Sequence, residues 1–154
     1  MVAALKKSNA YTALLCLWLI VQAPGQLHAQ TAEARLGNLI ISDARARPTP
    51  PATSVGAIYF SITNAGSTAD RLLSVSSPMA AKVEFHESRS VQGVVEMRAL
   101  SAVECPPGKT VRAVPGGLHV MLLGLTAPLA AGSELIVSLQ FRDAGVVKLK
   151  VPVG

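Results

Sequence analysis

Hydrophobic and polar residues alternate in short runs along most of the chain, and this pattern predicts β-strands. In residues 55–64, Ile58, Phe60 and Ile62 share one face, because successive side chains of a strand point to opposite faces. Further strands are predicted at residues 36–42, 72–76, 82–87, 94–100, 110–114, 118–125, 134–142 and 146–153. Residues 45–53 carry three prolines and predict an extended connector. Short strands separated by Gly- and Pro-containing segments predict one all-β domain, a sandwich or Greek-key barrel.

The first 29 residues have the layout of a secretory signal peptide. Lys6 and Lys7 precede an apolar run over residues 11–21, and Leu27-His28-Ala29 offers a cleavage site. The apolar run is shorter than the roughly 20 residues that a membrane-spanning helix needs. We therefore predict a signal peptide at residues 1–29 and a β domain at residues 30–154, with an uncleaved N-terminal anchor as the alternative.

Removal of this segment leaves a nearly neutral chain with one cysteine. Without Lys6 and Lys7, 12 Lys and Arg residues stand against 9 Asp and Glu residues, a balance too mild to indicate nucleic-acid binding. Cys105 alone cannot form an internal disulfide. Cys16 follows a leucine rather than the small residue typical before a lipidated cysteine, so no lipid anchor is predicted. The chain has no nucleophile elbow, P-loop or dinucleotide fingerprint, and we predict that it is not an enzyme.

Two histidines and two methionines follow an ordered spacing. Ten residues separate His86 from Met97, twenty-one separate Met97 from His119, and one separates His119 from Met121. Beyond the signal peptide the chain has two histidines and three methionines, so four of these five residues belong to the pattern. Imidazole and thioether groups are soft, neutral donors that suit Cu(I) far better than Mg, Ca or Mn. The pattern therefore predicts a soft-metal site.

Strand alternation predicts the face on which each of these side chains lies. The apolar residues of segment 118–122 should face the core, which turns His119 and Met121 outward together, with Cα atoms roughly 6–7 Å apart. His86 alternates with Phe85 and should also point outward, and Glu84 on the same face is interpreted as a solvated charge.

The remaining methionines have a different pattern. Met97 alternates with Glu96 and Arg98, so parity predicts a core position for Met97. A local bulge or a strand end would then have to turn Met97 toward the metal. Met79 follows Pro78 in a predicted loop and is interpreted as a surface residue.

The spacing resembles the copper-binding motif of the PCuAC family of periplasmic copper chaperones. The likeness extends over residues 39–153, and the segments that carry it are Arg71-Leu72, Ser76-Ser77-Pro78, Val83-Glu84-Phe85-His86-Glu87, Met97-Arg98, Pro115-Gly116-Gly117-Leu118-His119-Val120-Met121-Leu122 and Val151-Pro152-Val153. Two features depart from the family pattern: no Trp accompanies Asp43-Ala44-Arg45, and Leu123 stands where a further Met is often found.

The resemblance implies a cupredoxin-like β-barrel in the periplasm that binds Cu(I) at an exposed site. By position, the implied ligands are His86, Met97, His119 and Met121, and a single copper is expected. The resemblance also implies delivery of copper to cytochrome c oxidase assembly, with an oxidase subunit or a Sco-type protein as the acceptor.

The sequence is also compatible with two other functions. A blue-copper electron carrier needs a Cys thiolate with two His ligands and an axial Met, but no His follows closely after Cys105. A metal-free extracytoplasmic sandwich that binds a protein or a glycan is the second alternative, because sandwiches serve many unrelated functions.

Overall fold

The computed structural model describes residues 32–154, which form eleven β-strands and no helix. The strands are β1 (Ala32–Leu36), β2 (Leu39–Ala46), β3 (Val55–Asn64), β4 (Asp70–Ser76), β5 (Ala80–Val91), β6 (Val94–Leu100), β7 (Val103–Cys105), β8 (Thr110–Ala113), β9 (Leu118–Leu125), β10 (Glu134–Phe141) and β11 (Val146–Pro152). The predicted all-β class is confirmed, and of the two predicted arrangements residues 32–154 form the sandwich rather than a closed barrel.

The strands form two antiparallel sheets that pack face to face. The larger sheet has the order β1-β2-β3-β9-β5-β6, with β8 pairing the second half of β3, and the smaller has the order β11-β10-β4-β7. The core lies between the sheets, and its fully buried members include Ile41, Ile58, Ile62, Leu72, Val120, Leu122, Val137, Leu139, Phe141 and Val151. β9 lies between β3 and β5, so these two pairings join strands that are distant in sequence.

The strand predictions are accurate in the centre of the sheets and weaker at their edges. The bounds of β3 match the prediction, and β2 continues two residues into the segment that was predicted to be a connector. The sequence pattern missed β1 and the short β7, and it ended β5 four residues too early. The predicted signal peptide lies outside the described residues.

β5 and β6 extend beyond the rest of the larger sheet as a two-stranded ribbon. The last residue of β5 that pairs with β9 is Glu87, opposite Leu118. From Ser88 to Met97 the two strands pair only with each other, around a tight turn at Gln92-Gly93. Both turn residues have positive φ, 50° and 82°, which is the geometry of a type I′ hairpin turn. We call residues 88–97 the free ribbon.

Two buried polar side chains, Asn64 and Asp70, stabilise loops of the smaller sheet. The Asn64 amide donates to the carbonyls of Thr68 and Cys105. The Asp70 carboxylate accepts from the backbone N–H groups of Arg71, Asp143 and Ala144. Burial alone would raise the pKa of Asp70, but these three donors outweigh it and lower the pKa below its ordinary value.

Candidate metal site

His86 and His119 lie directly opposite each other on neighbouring strands. His86 is on β5 and His119 on β9, and the two are Cα partners in the antiparallel ladder. Their rings are 5.9 Å apart between centroids and tilted by 35°. The residues beside them in sequence, Phe85 and Val120, are buried in the core, so both imidazoles lie on the outer face of the larger sheet. The sequence pattern placed both rings on this face, but their pairing depends on strand order, which it could not predict.

The hydrogen bonds of the two rings leave one nitrogen free on each. His119 Nδ1 lies 2.8 Å from the Gly117 carbonyl, which can only accept, so this nitrogen carries the proton and Nε2 keeps a lone pair. His86 Nε2 lies 2.9 Å from Glu84 Oε2 and donates to that carboxylate. His86 Nδ1 is then the free nitrogen, and it is buried without any hydrogen-bond partner among the described residues. A buried lone pair without a donor is costly unless another species, such as a metal ion, occupies it.

Glu84 contacts His86 through its carboxylate, an interaction that the sequence interpretation missed. Its carboxylate contacts Lys82 Nζ at 2.5 Å and His86 Nε2 at 2.9 Å. The hydrogen bond from the Lys82 ammonium, and to a lesser extent that from the His86 ring, hold the pKa of Glu84 below its ordinary value. The carboxylate is therefore ionised at neutral pH. A carboxylate that accepts from a histidine orients the ring and increases its basicity as a ligand. The signal was available in the sequence: a Glu two residues before a His shares its strand face.

Met121 is held between two strands, next to the histidines. It pairs with Ala57 of β3 on one side and Glu84 of β5 on the other, and it is partly buried. Because it lies two residues beyond His119 on the same strand, its thioether is on the outer face too. His119 is only 9% exposed and the His86 side chain 17% exposed. The expected exposed site is therefore a half-buried one.

Met97 lies on the outer face, which contradicts the parity prediction. It pairs with Ser88, while His86 pairs with Ala99, so Met97 and His86 point to the same side of the sheet. Met97 is 55% exposed and not part of the core. No bulge is needed, because the β5–β6 register is regular. Parity was misleading because Met97 belongs to the free ribbon, which has no core beneath it.

The two methionines flank the histidine pair at opposite corners. Met121 is displaced along β9 in one direction, and Met97 is displaced along β6 in the other, with β5 between them. Strand spacing and rise place their Cα atoms roughly 16–17 Å apart, more than two methionine side chains can span around one ion. A single metal ion at this place would therefore be held by both histidines and one methionine, or by all four side chains once the free ribbon bends toward the histidines.

No cluster of His, Cys, Asp or Glu side chains competes with this arrangement in the described part of the chain. Residues 32–154 contain no group of three or more His, Cys, Asp or Glu side chains able to hold a metal. Cys105 is 1% exposed, and burial raises the pKa of its thiol to about 11. Met79 was interpreted as a surface residue, but it is half-buried against the core, next to Thr126 at the far end of β5.

Solved structures with this fold include copper-binding domains. A copper-bound PCuAC domain from PmoF2 is 26% identical, with a TM-score of 0.69, over 79% of this chain and 96% of that chain. The Cu(I) form of DR1885 from Deinococcus radiodurans is 24% identical, with a TM-score of 0.60, over 71% of this chain and 74% of that one, a likeness in fold alone. The similarity to the PmoF2 domain agrees with a copper-chaperone fold and favours the prediction that the chain is not an enzyme.

Sequence comparison relates the chain to proteins described as lipoproteins. A "Putative lipoprotein Lxx21020" from Leifsonia xyli subsp. xyli is 36% identical over 98 residues, which are 63% of this chain and 59% of that protein. The chain thus spans about three fifths of the length of this curated relative. Within residues 32–154 no helical segment has the length and hydrophobicity of a membrane span. Cys16 lies outside the described residues, so the absence of a lipid anchor stays a prediction. The profile of the family described as "Putative lipoprotein LpqE-like" matches residues 39–153, and the chain therefore belongs to the LpqE-like family.

Proposed function

We propose that this protein is an extracytoplasmic copper chaperone that binds one Cu(I) ion through His86, His119 and Met121, with Met97 as a fourth ligand once the free ribbon bends toward the histidines. The observation that carries the proposal is the facing pair of imidazoles, each with one nitrogen fixed by an acceptor and the other left free. Cu(I) accepts imidazole and thioether donors readily. The likeness to a copper-bound PCuAC domain adds support.

The donor set suits an ion that must be captured and then released. Thioethers need no deprotonation and hold Cu(I) less firmly than thiolates do. Histidines strengthen the site but ligate only when neutral, so acid should weaken it. The exposed Met97 edge offers an approach for the donor atoms of an acceptor protein. We propose a periplasmic location after removal of residues 1–29, and a copper acceptor in cytochrome c oxidase assembly.

Anaerobic titration with Cu(I), followed by X-ray absorption spectroscopy, tests the proposal. We expect one equivalent of Cu(I) in a mixed nitrogen and sulfur shell. His119→Ala should remove one nitrogen and Met121→Leu one sulfur, whereas the matched control Met79→Leu should leave the spectrum unchanged. Binding weaker than micromolar would favour the metal-free interaction module, and an all-oxygen shell would refute the ligand set.

A further inference from the structure

The free edge of β6 is the feature of the molecule that the copper site does not explain. β6 is the last strand of the larger sheet and pairs only with β5 among the described strands. Its side chains include Val94, Val95 and Met97, which are 63%, 70% and 55% exposed. An exposed edge strand with apolar side chains is a template for pairing with another strand.

Backbone geometry shows which groups of β6 are available at this edge. Val91 and Val94 close the type I′ turn and form a hydrogen-bonded pair, and pairs alternate along an antiparallel ladder. Val95, Met97 and Ala99 therefore direct their N–H and C=O groups away from β5. The Ser88 N–H supports this assignment of the bonded and non-bonded pairs. It donates to the Gly117 carbonyl at 3.1 Å rather than to its cross-strand partner Met97.

The charges of β6 are complementary to themselves in one register. When two copies pair antiparallel with Met97 on the two-fold axis, Glu96 of each copy lies opposite Arg98 of the other. A shift of the axis by one residue would place Glu96 against Glu96, or Arg98 against Arg98. Opposite charges across a strand pair stabilise it and like charges destabilise it.

On β5, the strand beside β6, further charged side chains lie opposite residues of unlike charge. In each copy Arg98 lies opposite Glu87, and Glu96 lies opposite Arg89. Arg98 reaches Glu87 only at 3.7 Å, and Glu96 makes no ion pair within residues 32–154. Across four strands the charges would then alternate as Glu87, Arg98, Glu96 of the second copy and Arg89 of the second copy.

From this edge we infer that the protein self-associates through β6, as an antiparallel strand pair centred on Met97 of each copy. The two Met97 thioethers then lie side by side, on the face that carries the histidine pairs of both copies. The sandwiches lie at opposite ends of the paired strands, so they do not obstruct the contact. An interface formed by two short strands is small, and we expect a weak dimer with a dissociation constant of roughly 10 µM to 1 mM.

Sedimentation equilibrium of the copper-free protein, over a concentration series spanning that range, tests the inference. Glu96→Arg creates two pairs of like charges and should weaken the dimer roughly tenfold or more, and Arg98→Glu should do the same. An equimolar mixture of the two variants restores both opposite-charge pairs, so it should associate more tightly than either variant alone. Glu134→Arg on β10 is the matched control, with the same change in net charge away from β6.

Backbone measurements locate the contact independently of the charge variants. Amide chemical shifts of Val95, Met97 and Ala99 should move with protein concentration, and Val95→Pro should abolish association, because proline removes an outward N–H that β5 does not use. A protein that stays monomeric at millimolar concentration would overturn the inference, as would a dimer that Glu96→Arg leaves intact or shifts confined to other strands. Because the copper-free protein is used, these outcomes do not depend on whether the protein binds copper.

Discussion

The two methionines of the site should contribute unequally to Cu(I) affinity, because only one of them is held in place before the metal binds. Met121 lies on a central strand with neighbours on both sides and is partly buried, whereas Met97 is 55% exposed on the free ribbon. Immobilising a free methionine side chain costs up to about 1.5–2 kcal/mol. That cost corresponds to roughly ten- to thirtyfold in affinity, before any cost of bending the ribbon. Met121→Leu should therefore lower Cu(I) affinity roughly ten- to thirtyfold more than Met97→Leu does.

Competition with a chromophoric Cu(I) chelator under anaerobic conditions measures both losses on one scale. Leucine keeps the volume and apolar character of methionine, so the fold should be preserved in both variants. Met79→Leu serves as the control and should bind Cu(I) like the parent protein. Equal losses for the two variants, or a larger loss for Met97→Leu, would refute the reasoning and indicate that the ribbon is already closed over the histidines.

Three further predictions concern single polar or sulfur-containing side chains. Glu84→Leu removes the acceptor that orients His86 and should lower Cu(I) affinity roughly 10–100-fold, measured by the same competition, while Glu84→Gln should cost less because its amide oxygen still accepts. Because the pKa of Asp70 is lowered in the folded protein, its ionised carboxylate stabilises the fold fully at pH values above the ordinary pKa of 3.8. This stabilisation is lost as the pH falls through the lowered pKa of the folded state. Asp70→Asn should lower the free energy of unfolding by about 1–3 kcal/mol at pH 7 and by less at acid pH. Urea unfolding that shows the same loss at pH 2.5 and at pH 7 would contradict this prediction. The pKa of Cys105 is raised to about 11, so its thiol should react with iodoacetamide at pH 8 more than a hundredfold slower in the folded than in the unfolded protein. Rapid labelling of the native chain, detected by mass spectrometry, would count against the burial of this thiol.

Local alternation predicted the parts of the fold in which a strand has a core on one side. β3 and β9 have that environment: Ile58, Ile62, Val120 and Leu122 are buried in the core, and the residues that alternate with them lie on the other face of the sheet. The outward direction of His119 and Met121 follows from the same rule. The rule failed for Met97 because both faces of the free ribbon meet solvent, so apolar and charged residues there alternate for reasons unrelated to the core.

The geometry of the site depends on pairing between strands that are distant in sequence. No local pattern places β9 beside β5, and only this order brings His86 opposite His119. The hydrogen bonds of Glu84 and of the Gly117 carbonyl are local instead, because each partner lies two residues before its histidine. For Glu84 the shared strand face was a signal in the sequence.

The burial of Cys105 keeps the one thiol of residues 32–154 away from the proposed copper site. A thiolate binds Cu(I) more strongly than thioethers or imidazoles do, so an accessible thiol near the surface would become an internal trap for the ion. At 1% exposure, with its Sγ–H directed to the Val103 carbonyl, Cys105 is withheld from that competition. If the chain is the proposed copper chaperone, a variant that loosens the end of the sandwich around β7 should release copper poorly without any change at the histidines, because the exposed thiol would hold the ion.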